Sequence, residues 1–530
     1  MKNKGFKSII VALLLLLLCM GQLFTAQAAP SAWAIDILMQ AERDNLTLPF
    51  SDHQAEITRH NFCQLIRLLV NREMENDFIA EIITKAGQPF SDTDNNNVLF
   101  CYGAGIVSGK GEGKFFPDDT LTREQAAVIV VNTLNFIEKH QNSNMIGQTV
   151  VAPLDFQDAA QVSPWAANAV SIAHQQGILK GDGVNFNPKE SVTCEQANIL
   201  IYQSFKKLEQ QGMAGSYTQA ELNSMRYIIQ EFEKLSQTED SDFYVNRPIS
   251  KAPHYEGEVK RSVIQSGIDA LNLARYIAGL PNDVVYDSRY TAFAQAGAVL
   301  LESIGHLDHT PGKPADMSEE FYTLAYEGTS QSNLAQGYDE ISPVYSVWAY
   351  MHDTDESNIA VVGHRRWILN HAMSKASLGM SGNFSVFYVF DKSRAESQKS
   401  DFVPWPANVF PLSQMDKDIA WSVSLDESTY LKNIKNEDVK VTLTRQRDNK
   451  SWVINRSTGM ANGGFFNVNR DGYGSMAAII FRLPYMQEEA LYMKNDVFTV
   501  EVEGLAKPLT YTVKFFSLKD KGKLAYTQAR

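Results

Sequence analysis

Apolar residues change rhythm several times along this chain. Ile9 through Leu18 form an unbroken apolar run behind Lys2, Lys4 and Lys7, and Ala26-Gln27-Ala28 closes the stretch with small residues. That order predicts an export signal over residues 1–28, cleaved before Ala29, because the run is shorter than the ~18 apolar residues needed to cross a bilayer. Cys19 behind the leucines also fits a lipid-anchor site, but Leu18 is bulkier than such sites normally accept. Three later segments open on Ile57-Thr58-Arg59, Leu121-Thr122-Arg123 and Val192-Thr193-Cys194, and each continues at helical spacing. Leu222, Met225, Ile229 and Phe232 predict an amphipathic helix, followed by a polar, proline-punctuated linker from Ser236 to Tyr255. Ile268, Leu271 and Ile277 begin a helix that stops at Gly279-Leu280-Pro281, and an alanine-rich helix covers about Ser288 to Ser303.

Beyond residue 400 the period falls to two. Seven strand-like segments run over 419–425, 439–444, 452–455, 465–468, 477–483, 497–502 and 510–516, separated by Asn, Asp and Gly. They predict a small antiparallel, immunoglobulin-like sandwich over 400–520. Trp405, between Pro404 and Pro406, reads as a plug at the junction with the preceding domain.

The first two hundred residues repeat. The three capping threonines lie 64 and 71 residues apart. Phe90-Ser91-Asp92 and Phe115-Phe116-Pro117-Asp118 precede the second, and Phe156-Gln157-Asp158, Trp165-Ala166 and Phe186-Asn187-Pro188 precede the third. Gly105 to Gly109 and Gly177 to Gly181 occupy equivalent places between helices. Each unit therefore reads as a helix, a glycine-rich turn and a second helix whose threonine satisfies an orphan N–H. One such pair cannot bury its apolar face alone, whereas three can close a core.

This ordered set resembles S-layer homology modules, three in tandem over residues 29–205 (about 29–75, 88–140 and 153–205). The resemblance implies an all-α pseudo-trimer whose grooves bind pyruvylated secondary cell-wall polymer. It makes Arg59 and Arg123 the anion-binding residues, since a guanidinium fork suits a ketal carboxylate. Trp33 and Trp165 become the walls against which a sugar face rests. The competing reading is that the arginines only tie helix ends to loops. Two departures stand out: Cys194 replaces the third arginine, leaving that groove weak, and Asn61 replaces the usual acid in the first repeat.

Residues 206–260 are the amphipathic helix and linker. Within 261–392 come Gly305-His306-Leu307-Asp308-His309, then Ser332-Asn333-Leu334-Ala335-Gln336-Gly337, then Gly363-His364-Arg365-Arg366-Trp367-Ile368-Leu369. This series resembles the CAP superfamily in its bacterial form, implying an α-β-α sandwich with a central cleft. By that resemblance His309 and His364 are the cleft histidines, candidates for holding a divalent metal such as zinc or for acid–base work. Ser332 stands where a glutamate is usual, and the second glutamate falls near Met351 to Asp353 without a clear equivalent. Two imidazoles alone hold zinc poorly; Asp308, His352 and Asp353 are the residues that would have to complete a site.

Composition narrows the partners. The formal charge of −13 becomes −16 once the three leader lysines go, which excludes nucleic acid as a natural ligand. Cys63, Cys101 and Cys194 remain, an odd number that cannot pair completely and reads as small buried hydrophobes. No G-x-S-x-G, H-E-x-x-H or Cys/His signature occurs. The sequence thus points to an exported, wall-anchored Gram-positive protein, not embedded in the membrane, whose outer domain binds a ligand. The alternatives are a wall hydrolase working through His309 and His364, or a structural surface-layer subunit.

Overall fold

The computed structural model describes residues 28–74, 76–141, 152–210, 217–237, 242–395, 400–485, 491–521 and 524. The expected export signal lies outside them except for Ala28. The chain divides into two compact units, with residues 28–210 in one and 217–521 in the other.

The first unit is helical. Helices α1 (Ile35–Arg43) and α2 (Arg59–Glu73) form its first repeat; α3 (Asn76–Ala86) is an extra helix that the repeat does not predict. Helices α4 (Asn96–Gly103) and α5 (Arg123–His140) form the second, α6 (Ala167–Gln175) and α7 (Cys194–Gln210) the third. The apolar faces of α2, α5 and α7 meet in one core that includes Phe62, Ile66, Val130, Leu134, Leu200 and Ile201. Each long helix touches the other two. Cys63, Cys101 and Cys194 are buried and unbridged, as small hydrophobes would be. The loop glycines are demanded by close approach. A Cβ on Gly181 would lie 2.3 Å from the Asn185 carbonyl and 2.6 Å from the Phe156 ring, and Gly109 is similarly hemmed in by Lys114 and Phe90.

The second unit begins with α8 (Gln219–Gln237), the amphipathic helix, which buries Leu222, Met225 and Ile229 and stacks Phe232 on Trp348. The following stretch is less of a linker than its polarity suggests, since β1 (Tyr244–Asn246) pairs with β2 (Glu258–Val259). Next come α9 (Arg261–Ile277), β3 (Val285–Tyr286), α10 (Ser288–Ile304) and α11 (Glu319–Ser330). They are followed by β4 (Ser332–Gln336), α12 (Pro343–His352), α13 (Gly363–Ile368), β5 (Lys375–Ser381) and β6 (Phe384–Tyr388). The sheet runs β3-β5-β6-β4. Successive strand residues face opposite ways: Leu378 meets Gly267 of α9, and Gly379 lies against Ala294 and Gln295 of α10. Helices therefore cover both faces of the sheet.

The remainder is all-β apart from short turns. One sheet holds β11 (Lys450–Ile454), β10 (Lys440–Arg445), β14 (Val497–Glu503), β15 (Leu509–Phe516) and β8 (Asn408–Pro411), in that order. The other runs β12 (Phe465–Asn469), β13 (Ala477–Arg482), β9 (Trp421–Leu425) and β7 (Phe402–Trp405). The sheets meet through Trp421, whose ring approaches Phe498 and Phe515 of the other sheet. All seven predicted strands are present, but the sandwich is not wholly antiparallel: β8 pairs parallel with β15. The two unpredicted strands flank Trp405-Pro406. Trp405 is fully buried and packs edge-on against Phe410.

Candidate functional site

The three long helices of the first unit begin in the same way. Thr58, Thr122 and Thr193 accept from the backbone N–H of Asn61, Gln125 and Gln196. That fixes the register of the repeats. Asn61 is the counterpart of Gln125 and Gln196, and His60 stands where the others carry Glu124 and Glu195. The acid missing from the first repeat is therefore replaced by His60, one position before the Asn61 to which the sequence reading assigned the change.

Each helix start is bound to the following repeat, and the third closes on the first. The extended residues pair as Thr58 with Thr120, Thr122 with Ser191 and Thr193 with Glu56. Backbone N–H groups of Arg59, Arg123 and Cys194 donate to the carbonyls of Asp119 (2.8 Å), Glu190 (2.9 Å) and Ala55 (2.8 Å). Their neighbours His60, Glu124 and Glu195 donate to Pro117, Pro188 and His53. Donors that a helix start ordinarily leaves open are thus spent on the next repeat. Three equivalent junctions result, arranged in a ring.

Arg59 sits at the first junction. Its Nε donates to Phe115 O (3.0 Å), its Nη2 to Ser108 O (2.9 Å), and its guanidinium lies 4.2 Å from the Phe115 ring. Arg123 repeats this at the second, with Nε to Phe186 O (2.9 Å), Nη2 to Lys180 O (2.7 Å) and the Phe186 ring at 5.2 Å. Burial lowers both pKa values, but Asp119 beside Arg59 and Glu190 beside Arg123 act the other way, and an arginine so placed remains a cation. Both arginines do tie helix to loop, yet Nη1 of each has no hydrogen-bond partner among the described residues. Cys194, at the third junction, is buried, and burial with the charge of Asp52 pushes its thiol up to about 11.

A second group at these junctions was not legible in sequence. Glu124 accepts from Ser163 N (2.9 Å), Ser163 Oγ (3.0 Å) and Lys189 Nζ (2.5 Å). Glu195 accepts from Ser31 N (2.8 Å) and Ser31 Oγ (2.7 Å). These carboxylates fasten the segments bearing Trp165 and Trp33, each 59% exposed, at the second and third junctions. Asp92 and Asp158, from the F-x-D motifs, clamp the loops beneath the arginines by accepting from Phe115 and Phe116 N, and from Phe186 and Asn187 N.

The sequence of this first unit has known counterparts. Residues 89–127 and 155–197 match the family model for the S-layer homology domain. The protein carries S-layer homology domains. It is 30% identical over 185 residues to an amylopullulanase of Thermoanaerobacterium thermosulfurigenes, covering 33% of this chain and 9% of that one. It is 27% identical to a surface-layer 125 kDa protein of Lysinibacillus sphaericus over 20% of this chain and 8% of the relative. For the S-layer protein EA1 of Bacillus anthracis the figures are 25% identity, 23% and 14%. The chain thus spans a small part of the length of these relatives, and the carbohydrate-active one matches only in the S-layer homology region. These domains mark a protein of the cell surface, associated with the S-layer.

In the second unit, His364 lies on α13 and its Nδ1 bonds Asp353 Oδ1 at 2.7 Å. Asp353, buried at the left-handed C-cap of α12, also accepts from Arg365 N, so its carboxylate is fixed from two sides. Burial disfavours the imidazolium, but the Asp353 hydrogen bond and charge, with Asp355 behind, outweigh it and raise the His364 pKa. His309 Nδ1 bonds Thr329 O at 3.0 Å. Ser332 is buried, with its hydroxyl unpartnered among the described residues. Asp308 caps its own turn through Thr310 N, and burial lowers the pKa of His352. Among the described residues no three His, Cys, Asp or Glu side chains gather as a metal would require, so these residues do not fit a zinc site.

The arginines after His364 do something else. Arg365, fully buried, donates to Met351 O (2.6 Å), His352 O (2.9 Å), Ala420 O (2.7 Å) and Ser422 Oγ (3.2 Å). Arg366 donates to Val361 O, Asn469 Oδ1 and Met476 O. Both fasten α13 to the four-stranded sheet β12-β13-β9-β7.

Proposed function

We propose that the protein is exported and held non-covalently on the cell wall by three S-layer homology modules, about residues 29–75, 88–140 and 153–205. Their ligand is pyruvylated secondary cell-wall polymer. The observation that carries this reading is the ring of three equivalent helix starts, two of which offer a guanidinium with a free Nη1 to a carboxylate. The second unit, with helices on both faces of a sheet and a β-sandwich behind, is displayed outward as a CAP-like domain. It binds a ligand or partner rather than turning one over. Among the described residues no helix is long and apolar enough to cross a membrane.

A wall hydrolase is the second reading, and one observation favours it: Asp353 orients His364 and makes it more basic, as a general base would need. Against it, no hydroxyl or thiol side chain bonds His364 among the described residues.

The test is sedimentation of the full chain with purified walls. We expect the wild type in the pellet and the double variant R59A/R123A in the supernatant. Equal sedimentation of both would refute the assignment.

A further inference from the structure

Resting on that reading, we propose that the three junctions are unequal and that the polymer is held at one, between the second and third modules. The ligand class is a sugar ring bearing a carboxylate. Such a ligand needs a cation for the carboxylate and a flat apolar face for the ring, held together at one place. Among the described residues, only the second junction has both an arginine and an exposed indole. Arg123 offers Nη1 at the start of α5, and the next residue, Glu124, fastens Ser163 and so brings the exposed indole of Trp165 to the same junction. Lys189 completes the cluster: its ammonium bonds Glu124 (2.5 Å) and Ser163 Oγ (2.6 Å) while its side chain remains half exposed.

Each of the other junctions lacks one component. At the first, Arg59 is present and Phe116 is exposed on the loop it binds, but only Thr93-Asp94-Asn95 lies between the Asp92 clamp and α4, so no tryptophan stands where Trp165 does. His60 stands in place of the glutamate that would fasten such a segment, and Asp118 takes the position of Lys189. At the third, Glu195 and Ser31 hold Trp33 in the same way, but buried Cys194 replaces the arginine. The α5 site is not a helix-dipole site, because the N–H groups of Arg123 and Glu124 are already taken by Glu190 and Pro188.

The test is calorimetric titration of the full chain with wall polymer released from peptidoglycan by muramidase digestion, which leaves acid-labile ketals intact. One polymer chain end per protein is expected. W165A, at an exposed residue, should retain the wild-type melting temperature and bind roughly 10-fold more weakly. R123A should lose roughly 10- to 100-fold, the worth of a charge-assisted hydrogen bond. R59A and W33A should weaken binding several-fold less than R123A and W165A do, because each belongs to a junction that lacks one component. Because R123A also loosens the loop it ties, Cys194→Arg supplies an independent arm: placing the missing cation beside Trp33 should raise the stoichiometry towards two. If R59A weakens binding as much as W165A does, or if the wild type binds two or three chain ends, the junctions are alike and this inference falls while wall binding stands. If the wild type binds no polymer, wall binding itself falls.

Discussion

Arg365 offers the sharpest prediction for the second unit. Truncating it to alanine strands the carbonyls of Met351, His352 and Ala420, to which no other side chain among the described residues donates. Leaving a buried acceptor unmet costs about 1–3 kcal/mol, so three cost roughly 6 kcal/mol. The void adds about 2 kcal/mol for the lost packing of so large a side chain. Against this stands relief: burial drags the Arg365 pKa down to about 10, a penalty of about 3 kcal/mol that the variant no longer bears. The balance is a loss of about 4–5 kcal/mol, within the range for removing one member of a buried charged network. Arg365→Lys keeps the charge but cannot span acceptors on two elements, and should lose about half as much. Hydrogen exchange of the full chain, read at β9 and the end of α12, measures the change directly. Protection should fall there together, since one guanidinium joins both, while residues 28–210 keep theirs. A change below about 1 kcal/mol would refute the claim that the motif after His364 binds helices to sheets.

Two titrations follow. His364 should titrate above its ordinary value in the full chain, and D353N should bring its midpoint below that value; proton NMR of the imidazole checks this, and an unmoved midpoint would remove Asp353 as its orienting partner. A raised histidine stabilises the fold below its unfolded pKa, so its contribution fades as pH rises from about 6.5 through the higher folded value. Asp496 is fully buried against Arg447, and burial pushes its pKa up to about 6 despite that cation. The folded state then holds the proton longer than the unfolded one. Stability of the second unit should fall by up to about 3 kcal/mol between about pH 4 and 6 and level off above. D496N should flatten that slope in denaturant unfolding at several pH values; an unchanged slope would contradict the assignment.

What the sequence disclosed was what is local. A threonine cap acts over three residues, so Thr58, Thr122 and Thr193 marked three helix starts. Period-two alternation likewise exposed seven strands. The pairings that build the junctions are distant: Ser31 and Glu195 are 164 residues apart, and nothing near either announces the other. The displaced acid is a different case: counting two residues on from Thr58 and Thr122 already sets His60 against Glu124, and the cap bonds agree. Strands β7 and β8 were hidden because Pro404, Pro406 and Pro411 read as breakers. Pro404 lies on β7, which pairs only with β9, and the parallel partner of β8 lies a hundred residues further along the chain. Arg365 and Arg366 looked like part of a cleft motif because several of their acceptors, Ala420, Ser422, Asn469 and Met476, lie 55 to 110 residues further along the chain.

Wall binding by this chain requires a carboxylate to meet an arginine in the ring of junctions. Titrating the full chain with released wall polymer, and again with the same polymer after acid hydrolysis of its pyruvyl ketals, isolates that contact. We predict binding to the first and a loss of roughly 100-fold or more with the second, as expected when a charged partner disappears. Equal affinity for both polymers would contradict it.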